Sequence, residues 1–259
     1  MVEIIEPAGI LKRYIRHYCI VEIKNSRDFL PAERVIPGGN ICIAFHYGYP
    51  SKFKKKNSDE YVEPVFVICG QQTGYYDLSL SGNTGMILVI FKPHGLRAFF
   101  NFPVSELLNE NISFSDLIKD KAGELEDKLL NSRNNKQRIA YLEKYLSDRL
   151  VFNRDFDRID YAIKLIDRHK GLIKTSRLSE EVCLGIKQFE RIFTMYVGLN
   201  PKKFSGITRF QNVIQMKNKS KNSNMYQLAF GNGYYDQSHF IHDFKSLTGL
   251  TPREFFNGK

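Results

Sequence analysis

Two short stretches near the C-terminus carry side chains that could hydrogen-bond the bases of a nucleic acid. They are Lys187, Gln188, Glu190, Arg191 and Thr194 in the first stretch, and Gln237, Ser238, His239, His242 and Lys245 in the second. Side chains of these types can bond the base edges that a DNA major groove exposes. Apolar residues recur among them at helical spacing, so each polar set is predicted to lie on the outer face of an amphipathic helix.

The aromatic, glycine and proline positions around these polar residues are duplicated. Phe189, Phe193, Gly198, Pro201 and Phe204 recur 51 residues later as Phe240, Phe244, Gly249, Pro252 and Phe255. A recurrence at one fixed offset indicates a single supersecondary unit that is used twice.

The second copy has the composition of a helix-turn-helix. Asn224 is expected to cap a short helix, and a turn at residues 231–233 is expected to end it. Asp236 is expected to cap the longer helix that follows, and Gly249 to end that helix in the left-handed conformation. Thr251 and Pro252 then begin a further helix.

The first copy contains the same parts. Thr175 or Ser176 is expected to cap a helix that runs to about residue 182, and residues 183–185 are expected to form the turn. A longer helix from Ile186 is predicted to end at Gly198. A third helix from Pro201 to about residue 216 would join the two units, followed by a polar loop over residues 217–223.

The spacing of these capping, glycine, proline and aromatic residues resembles that of the AraC/XylS family of bacterial transcription regulators. The resemblance is carried by residues 229–240 in the second unit, and by Leu178, Phe189, Arg191, Phe193, Gly198, Pro201 and the pair Arg209-Phe210 in the first. It covers about residues 157–257. It implies a sequence-specific transcription regulator whose two units place their second helices in successive major-groove segments of promoter DNA.

The family pattern, read position by position, implies a set of DNA contacts. The base-contacting residues would be Lys187, Glu190, Arg191, Gln237, Ser238, Ile241 and His242. The phosphate-contacting residues would be Lys202, Lys203, Arg209, Lys245 and Arg253. The chain departs from the pattern at Ser179, where alanine is common, at Gly185, where a serine cap is common, and at His242, where arginine is frequent.

The positive charge of the chain is concentrated in the C-terminal part, which would suit binding to a polyanion. The chain has a net charge of +10, and residues 155–259 hold 17 lysines and arginines against 10 aspartates and glutamates. A basic excess that coincides with the duplicated units favours nucleic-acid binding.

The sequence also predicts the cellular location of the protein. The N-terminus is not a signal peptide and no apolar run is long enough to span a membrane, so we expect a cytoplasmic protein. The four cysteines, at positions 19, 42, 69 and 183, are expected to be scattered reduced thiols, without a disulfide or a zinc site.

The N-terminal half reads as mainly strands to about residue 102. Strands are predicted at residues 14–23, 41–45, 65–69, 77–80 and 86–91, the last two joined as a hairpin by the turn at residues 81–85. The lysine-rich stretch at residues 52–58 is predicted to be a solvated loop. Residues 70–74 could line a pocket, although a plain turn is the favoured interpretation.

From Pro103 the pattern becomes helical, with helices predicted at residues 116–131 and 136–150 and a linker at 153–155. We therefore predict an α+β protein of two domains. Residues 1–152 would form a β-rich barrel or sandwich that ends in helices, and residues 155–259 an all-α domain with the two helix-turn-helix units. Residues 34–39 and 91–95 resemble sensor-type domains found ahead of such units. That resemblance implies a small-molecule effector or a homodimer without identifying either.

Two other functions remain open at this point. The first is an enzyme whose N-terminal barrel binds a metal or a sugar and whose helical part is a targeting module. No metal-ligand spacing, P-loop or nucleophile motif supports it, since His17, His46 and His94 occur singly. We therefore assign no active site and expect no cofactor. The second is a protein-interaction adaptor whose helical units have lost DNA binding, which Glu190 and Asp243 near the polar faces would suit.

Overall fold

The computed structural model describes residues 1–23, 32–56, 58–80, 82–119, 121–220 and 224–257. The N-terminal part contains two antiparallel sheets. The first has the strand order β1 (Val2–Ile5), β2 (Ile15–Glu22), β9 (Gly85–Phe91), β4 (Cys42–His46), β7 (Phe66–Cys69) and β10 (Asn111–Ser113). The second has the order β3 (Glu33–Val35), β8 (Tyr76–Ser79), β5 (Lys52–Lys55) and β6 (Tyr61–Val62).

Ten helices follow within the described residues, and they begin immediately after β10. They are α1 (Phe114–Leu117), α2 (Ala122–Leu130), α3 (Asn135–Ser147), α4 (Phe156–Arg168), α5 (Thr175–Glu181), α6 (Ile186–Val197), α7 (Pro201–Lys219), α8 (Met225–Gly231), α9 (Gln237–Thr248) and α10 (Pro252–Asn257). None of these helices is both long enough and apolar enough to cross a membrane. The arrangement confirms the predicted fold class, a β-rich N-terminal part followed by an all-α C-terminal part.

The first sheet uses its two faces differently because side chains alternate along a strand. Ile43, Phe45 and Ile68 belong to one continuous apolar core that also contains residues of α1 to α4. Cys42 and Cys69 belong to the opposite face of the same strands, where both are only half-buried. Helices thus cover one face of the sheet, and part of the opposite face remains in contact with solvent.

Three predictions for this half are wrong. Residues 52–55 form a strand and not a loop, because Phe53 turns inward and is 1% exposed while the lysines beside it face out. Strands β8 and β9 do not form a hairpin: β8 pairs with β3 and β5, whereas β9 pairs with β2 and β4. The helix predicted at residues 116–131 is divided into α1 and α2, and Lys121 between them has a positive φ.

The expectation that the cysteines are scattered is also wrong for two of them, since Cys42 and Cys69 lie opposite each other on β4 and β7. The polar loop predicted at residues 217–223 begins later than expected, because α7 continues to Lys219. Residues 221–223, like Asn57 and Ser81 of the other predicted loops, lie outside the described residues.

A buried histidine joins the sheet domain to α4. His94 is 1% exposed, and its Nε2 lies 3.4 Å from the Oδ1 of Asp160 on α4. Burial lowers the pKa of His94, although the Asp160 carboxylate opposes that shift. The neighbouring His94 ring holds the pKa of Asp160 well below its usual range, with Lys164 contributing in the same direction.

These shifts predict that stability falls in mild acid. His94 has a lower pKa when folded than when unfolded, so the unfolded chain binds more protons below about pH 6.5. The free energy of unfolding is therefore higher at neutral pH and decreases as the pH falls below about 6.5. The decrease is at most about 1.4 kcal/mol per pH unit for one histidine. Urea unfolding midpoints at about pH 7.5 and about pH 5.5 measure it. In the His94→Gln variant the difference between the two midpoints should shrink, and an unchanged difference would assign it to other groups.

Candidate nucleic-acid interface

The first candidate unit consists of α5, a tight turn and α6. The turn reverses the chain at Cys183, which has a positive φ of 54°. Helix α5 begins at Thr175 after Lys174, and no side chain caps it, so the predicted Thr175 or Ser176 cap is wrong. Helix α6 begins after Gly185, which makes no side-chain cap hydrogen bond, and ends at Gly198 with a φ of 84°. The departure at Gly185 therefore removes a cap, as expected from the sequence.

Helix α6 separates apolar from polar side chains. Phe189 and Phe193 are 0% exposed, and their rings lie 5.6 Å apart. The predicted base-contacting residues Lys187, Glu190 and Arg191 are exposed on the other side. They line a surface groove of about 540 Å³ whose opposite wall includes residues 103 and 105 of the N-terminal part. The face is thus open to solvent, with the N-terminal part beside it.

The second unit, α8 to α9, has the predicted caps. The Asn224 side chain accepts from the backbone N–H groups of Tyr226 and Gln227, and the Asp236 side chain accepts from His239 N–H at 2.7 Å. Helix α9 ends at Gly249, which has a φ of 73°. A second pair of hydrogen bonds caps α10, because Thr251 N–H donates to Glu254 Oε2 at 2.7 Å and Thr251 Oγ1 accepts from Glu254 N–H.

Helix α9 presents its polar residues as α6 does. Gln237, Ser238 and His242 are exposed, whereas Ile241 is half-buried at the border of the apolar stripe. Two of the polar side chains are tied to the helix itself, since His239 and His242 both lie within 3.8 Å of the Asp243 carboxylate. The arrangement leaves amide, hydroxyl and imidazole groups on the surface, which are the groups that hydrogen-bond base edges.

The predicted phosphate-contacting residues fall into two groups. Lys202, Lys203, Lys245 and Arg253 are exposed, and all but Lys245 occupy the first turn of α7 or α10. Arg209 is different because it is half-buried on α7. Its guanidinium lies over the ring of Tyr234 at 4.9 Å and reaches the Gly233 carbonyl at 3.5 Å. Arg209 thereby holds the turn of the second unit against the helix that joins the units.

The N-terminal part contacts the C-terminal end of α9. The Arg34 guanidinium makes two hydrogen bonds to Asp77, at 2.8 and 3.0 Å, and lies 4.0 Å from the centre of the Tyr75 ring. Its remaining Nη1 donates to the Thr248 carbonyl, in the last turn of α9, at 3.3 Å. The Tyr75 ring covers Gly249 so closely that a β-carbon there would overlap it.

An equivalent contact holds the end of α6. A β-carbon at Gly198 would lie 3.2 Å from Val104 and 3.4 Å from the Gln71 side chain. Gln71 is itself buried, and its amide donates to the Gly39 carbonyl at 3.0 Å. The same glycine of each repeat therefore meets the N-terminal part. Sequence reasoning missed these contacts: it considered residues 70–74 only as a pocket or a turn, although those residues lie at the interface.

No cluster supports a metal-dependent reaction in the described part of the chain, where no three His, Cys, Asp or Glu side chains are grouped so that they could hold a metal ion. His46 lies 3.5 Å from Glu63 and His94 lies beside Asp160, so both are paired in the interior.

Comparisons with known proteins agree with this geometry. Residues 178–258 match the family model described as a helix-turn-helix domain, and residues 3–113 match a domain of unknown function (DUF6597). The HTH-type transcriptional regulator ArgR of Pseudomonas aeruginosa is 26% identical over 138 residues, which cover 51% of this chain and 40% of that protein. The chain thus spans less than half the length of that relative.

Two solved structures show a distant likeness. ToxT from Vibrio cholerae has a TM-score of 0.46 and 12% identity, with 93% of this chain and 97% of that chain covered. The AraC-like transcriptional activator CuxR has a TM-score of 0.30 and 13% identity, with 88% and 90% covered.

Two units with the same left-handed glycine at the end of the second helix, the same buried aromatic stripe and an exposed polar helix face make the C-terminal part a tandem helix-turn-helix domain. The match of residues 178–258 coincides with these units. The C-terminal part of the chain is therefore a helix-turn-helix domain similar to those of AraC/XylS-type regulators, and it follows a domain of unknown function.

Proposed function

We propose that this protein is a sequence-specific transcription regulator that binds promoter DNA through α6 and α9. One observation carries the proposal: both helices bury a stripe of phenylalanines completely and leave their hydrogen-bonding side chains exposed. A helix of this kind can enter a major groove, where its polar face reads base edges. Selection of bound sequences from a random DNA pool is the direct test, and failure to enrich any sequence would contradict it.

We assign the contacts as follows. Base readout falls to Lys187, Glu190 and Arg191 in the first unit, and to Gln237, Ser238, Ile241 and His242 in the second. Lys202, Lys203, Lys245 and Arg253 contact phosphates, as their exposure near helix ends allows. Arg209 can join them only if its guanidinium leaves Tyr234, so its contribution to DNA affinity should be smaller.

The N-terminal domain, residues 1–152, would modulate DNA binding by residues 155–259. Its contacts with Gly198 and Gly249 support this role, because they act on the ends of both recognition helices at once. A small molecule or a second copy of the chain that altered Arg34, Tyr75 or Gln71 would change how firmly the two helices are held. We place this activity in the cytoplasm, where promoter DNA lies, and propose no catalytic activity.

Replacing Arg191 with alanine should cost about 1–3 kcal/mol of specific binding and relax the preference at one base position. The reason is that an arginine on a recognition helix makes bidentate hydrogen bonds to guanine that alanine cannot replace. Gel-shift titration of the selected sequence, with single-base variants of it, measures both effects.

The control is Arg133→Ala, which removes an exposed arginine just before α3, far along the chain from both units. Both variants lose one positive charge, so a general electrostatic effect should weaken them equally. Equal affinities and equal base preferences for the two variants would show that Arg191 does not read a base.

A further inference from the structure

Two of the four cysteines are direct neighbours across antiparallel strands. Cys42 of β4 is the register partner of Cys69 of β7. Farther along the same ladder, His46 N–H donates to Val65 C=O at 2.7 Å, and alternate pairs in an antiparallel ladder share this hydrogen-bonded type. Cys42 and Cys69 are therefore a hydrogen-bonded pair, in which the Cα atoms are about 5.5 Å apart. That separation falls inside the range that disulfides span.

The two thiols are arranged for sequential reaction. Cys42 and Cys69 lie opposite each other, and the neighbouring Cys42 thiol together with burial raises the pKa of the Cys69 thiol. A raised pKa makes Cys69 the less readily ionised thiol of the pair. Both residues are half-buried.

The pair lies next to the contact between the two domains. Cys42 follows Gly39 by three residues, and Cys69 precedes Gln71 by two. Gln71 donates to the Gly39 carbonyl and packs on Gly198 at the end of α6. Gly39 lies against the ring of Phe204 on α7, where a β-carbon would be 3.2 Å from that ring. A covalent bond between the cysteines would therefore act on the segments that hold the first helix-turn-helix unit.

We propose that Cys42 and Cys69 form a thiol-redox site that low-molecular-weight disulfides oxidise, and that its closure changes the affinity for DNA. The Cys42 thiolate attacks one sulfur of the small disulfide, whose S–S bond breaks and releases one thiol. Cys69 then gives its proton to solvent and attacks the Cys42 sulfur of the mixed disulfide, releasing the second thiol. Two protein thiols are oxidised to one disulfide, and one small disulfide is reduced to two thiols.

The chemical half of the proposal can be tested without DNA. The reduced full-length chain is incubated with oxidised glutathione, alkylated, and digested for peptide mass spectrometry. We expect the loss of two free thiols and a linked peptide that joins residues 42 and 69. Cys69→Ser should retain glutathione at Cys42, because the resolving thiol is gone, whereas Cys42→Ser should give no linked peptide.

Cys19 and Cys183 provide matched controls. Cys19 lies on β2, two strands away from β4, and Cys183 is exposed in the turn of the first unit. Cys19→Ser and Cys183→Ser should form the same linked peptide as the unchanged chain. If the folded chain gives no 42–69 peptide, or if glutathione is attached equally to all four cysteines, the proposed site is overturned.

The regulatory half rests on the proposed function and has its own readout. The affinity of the reduced chain for a selected duplex is compared with that of the oxidised chain by fluorescence anisotropy. We expect a change of about fivefold or more, which dithiothreitol reverses and Cys42→Ser abolishes. A disulfide that forms without changing the affinity would overturn the coupling alone. Absence of binding by the reduced chain would instead contradict the proposed function.

Discussion

Replacing Phe244 with alanine is expected to destabilise the second helix-turn-helix unit by about 3–5 kcal/mol, which is enough to unfold it locally. Phe244 is 0% exposed and lies at the centre of a cluster of aromatic rings. Its ring is 5.3 Å from that of Phe210 on α7, 5.5 Å from Phe240 on α9 and 5.4 Å from Phe255 on α10. Removing it leaves a cavity where three helices meet, and the exposed face of α9 then has no fixed orientation.

Phe230→Ala is the matched control, since Phe230 belongs to the same unit but is 51% exposed. It should change stability by less than about 1 kcal/mol. Because the loss is expected in one unit alone, a single unfolding free energy would average over the whole chain, so hydrogen exchange is the better measurement. In Phe244→Ala we expect protection to fall in α8 to α10 while α5 and α6 retain theirs. Equal losses in both variants would contradict the assignment of Phe244 as the centre of this unit.

The tandem units could be predicted from sequence because their signals are local. Gly198 and Gly249 end helices in a left-handed conformation that other residues adopt at a cost, and Asn200, Asn224 and Asp236 cap helices within three residues of themselves. Each signal depends on its own neighbours and not on distant parts of the chain. Their repetition at one offset made the interpretation specific.

The sheets were less predictable because pairing is non-local. The turn at residues 81–85 has the composition of a hairpin turn, yet both edges of β9 are occupied by β2 and β4, so the chain passes from one sheet to the other. Nothing in the local sequence records which edges are already filled. The lysines around Phe53 gave the appearance of a loop for a related reason: this edge-proximal strand faces solvent on one side.

The contacts between the domains could not be predicted at all. Arg34 and Thr248 are 214 residues apart, and Gln71 and Gly198, at positions 71 and 198, are also far apart in the sequence. No local sequence motif at these residues indicates which distant residue each of them contacts. The roles proposed for Arg34, Tyr75 and Gln71 therefore come from the structure, whereas those for Lys187 and Gln237 come from the sequence.

Replacing Gly171 with alanine should destabilise the C-terminal domain by about 2–4 kcal/mol, through two separate effects. Gly171 has a φ of 76°, which disfavours any residue with a β-carbon. An added β-carbon would also overlap the Ser205 carbonyl and lie 3.0 Å from the Arg209 backbone nitrogen, both on α7. Relief requires the turn after α4 to move away from the helix that joins the two units. The loss should appear as a lower urea midpoint together with weaker DNA binding.

Gly206→Ala, within α7 itself, is expected to stabilise the protein and so serves as the control. A β-carbon at Gly206 would meet nothing within 4 Å, and the residue lies inside α7. Since alanine is favoured over glycine in a helix interior by about 1 kcal/mol, this variant should be slightly more stable. The two substitutions add the same methyl group near the same helix, so only the local backbone and the space around it differ. If both variants shift the urea midpoint in the same direction, the close approach of Gly171 to α7 does not organise this domain.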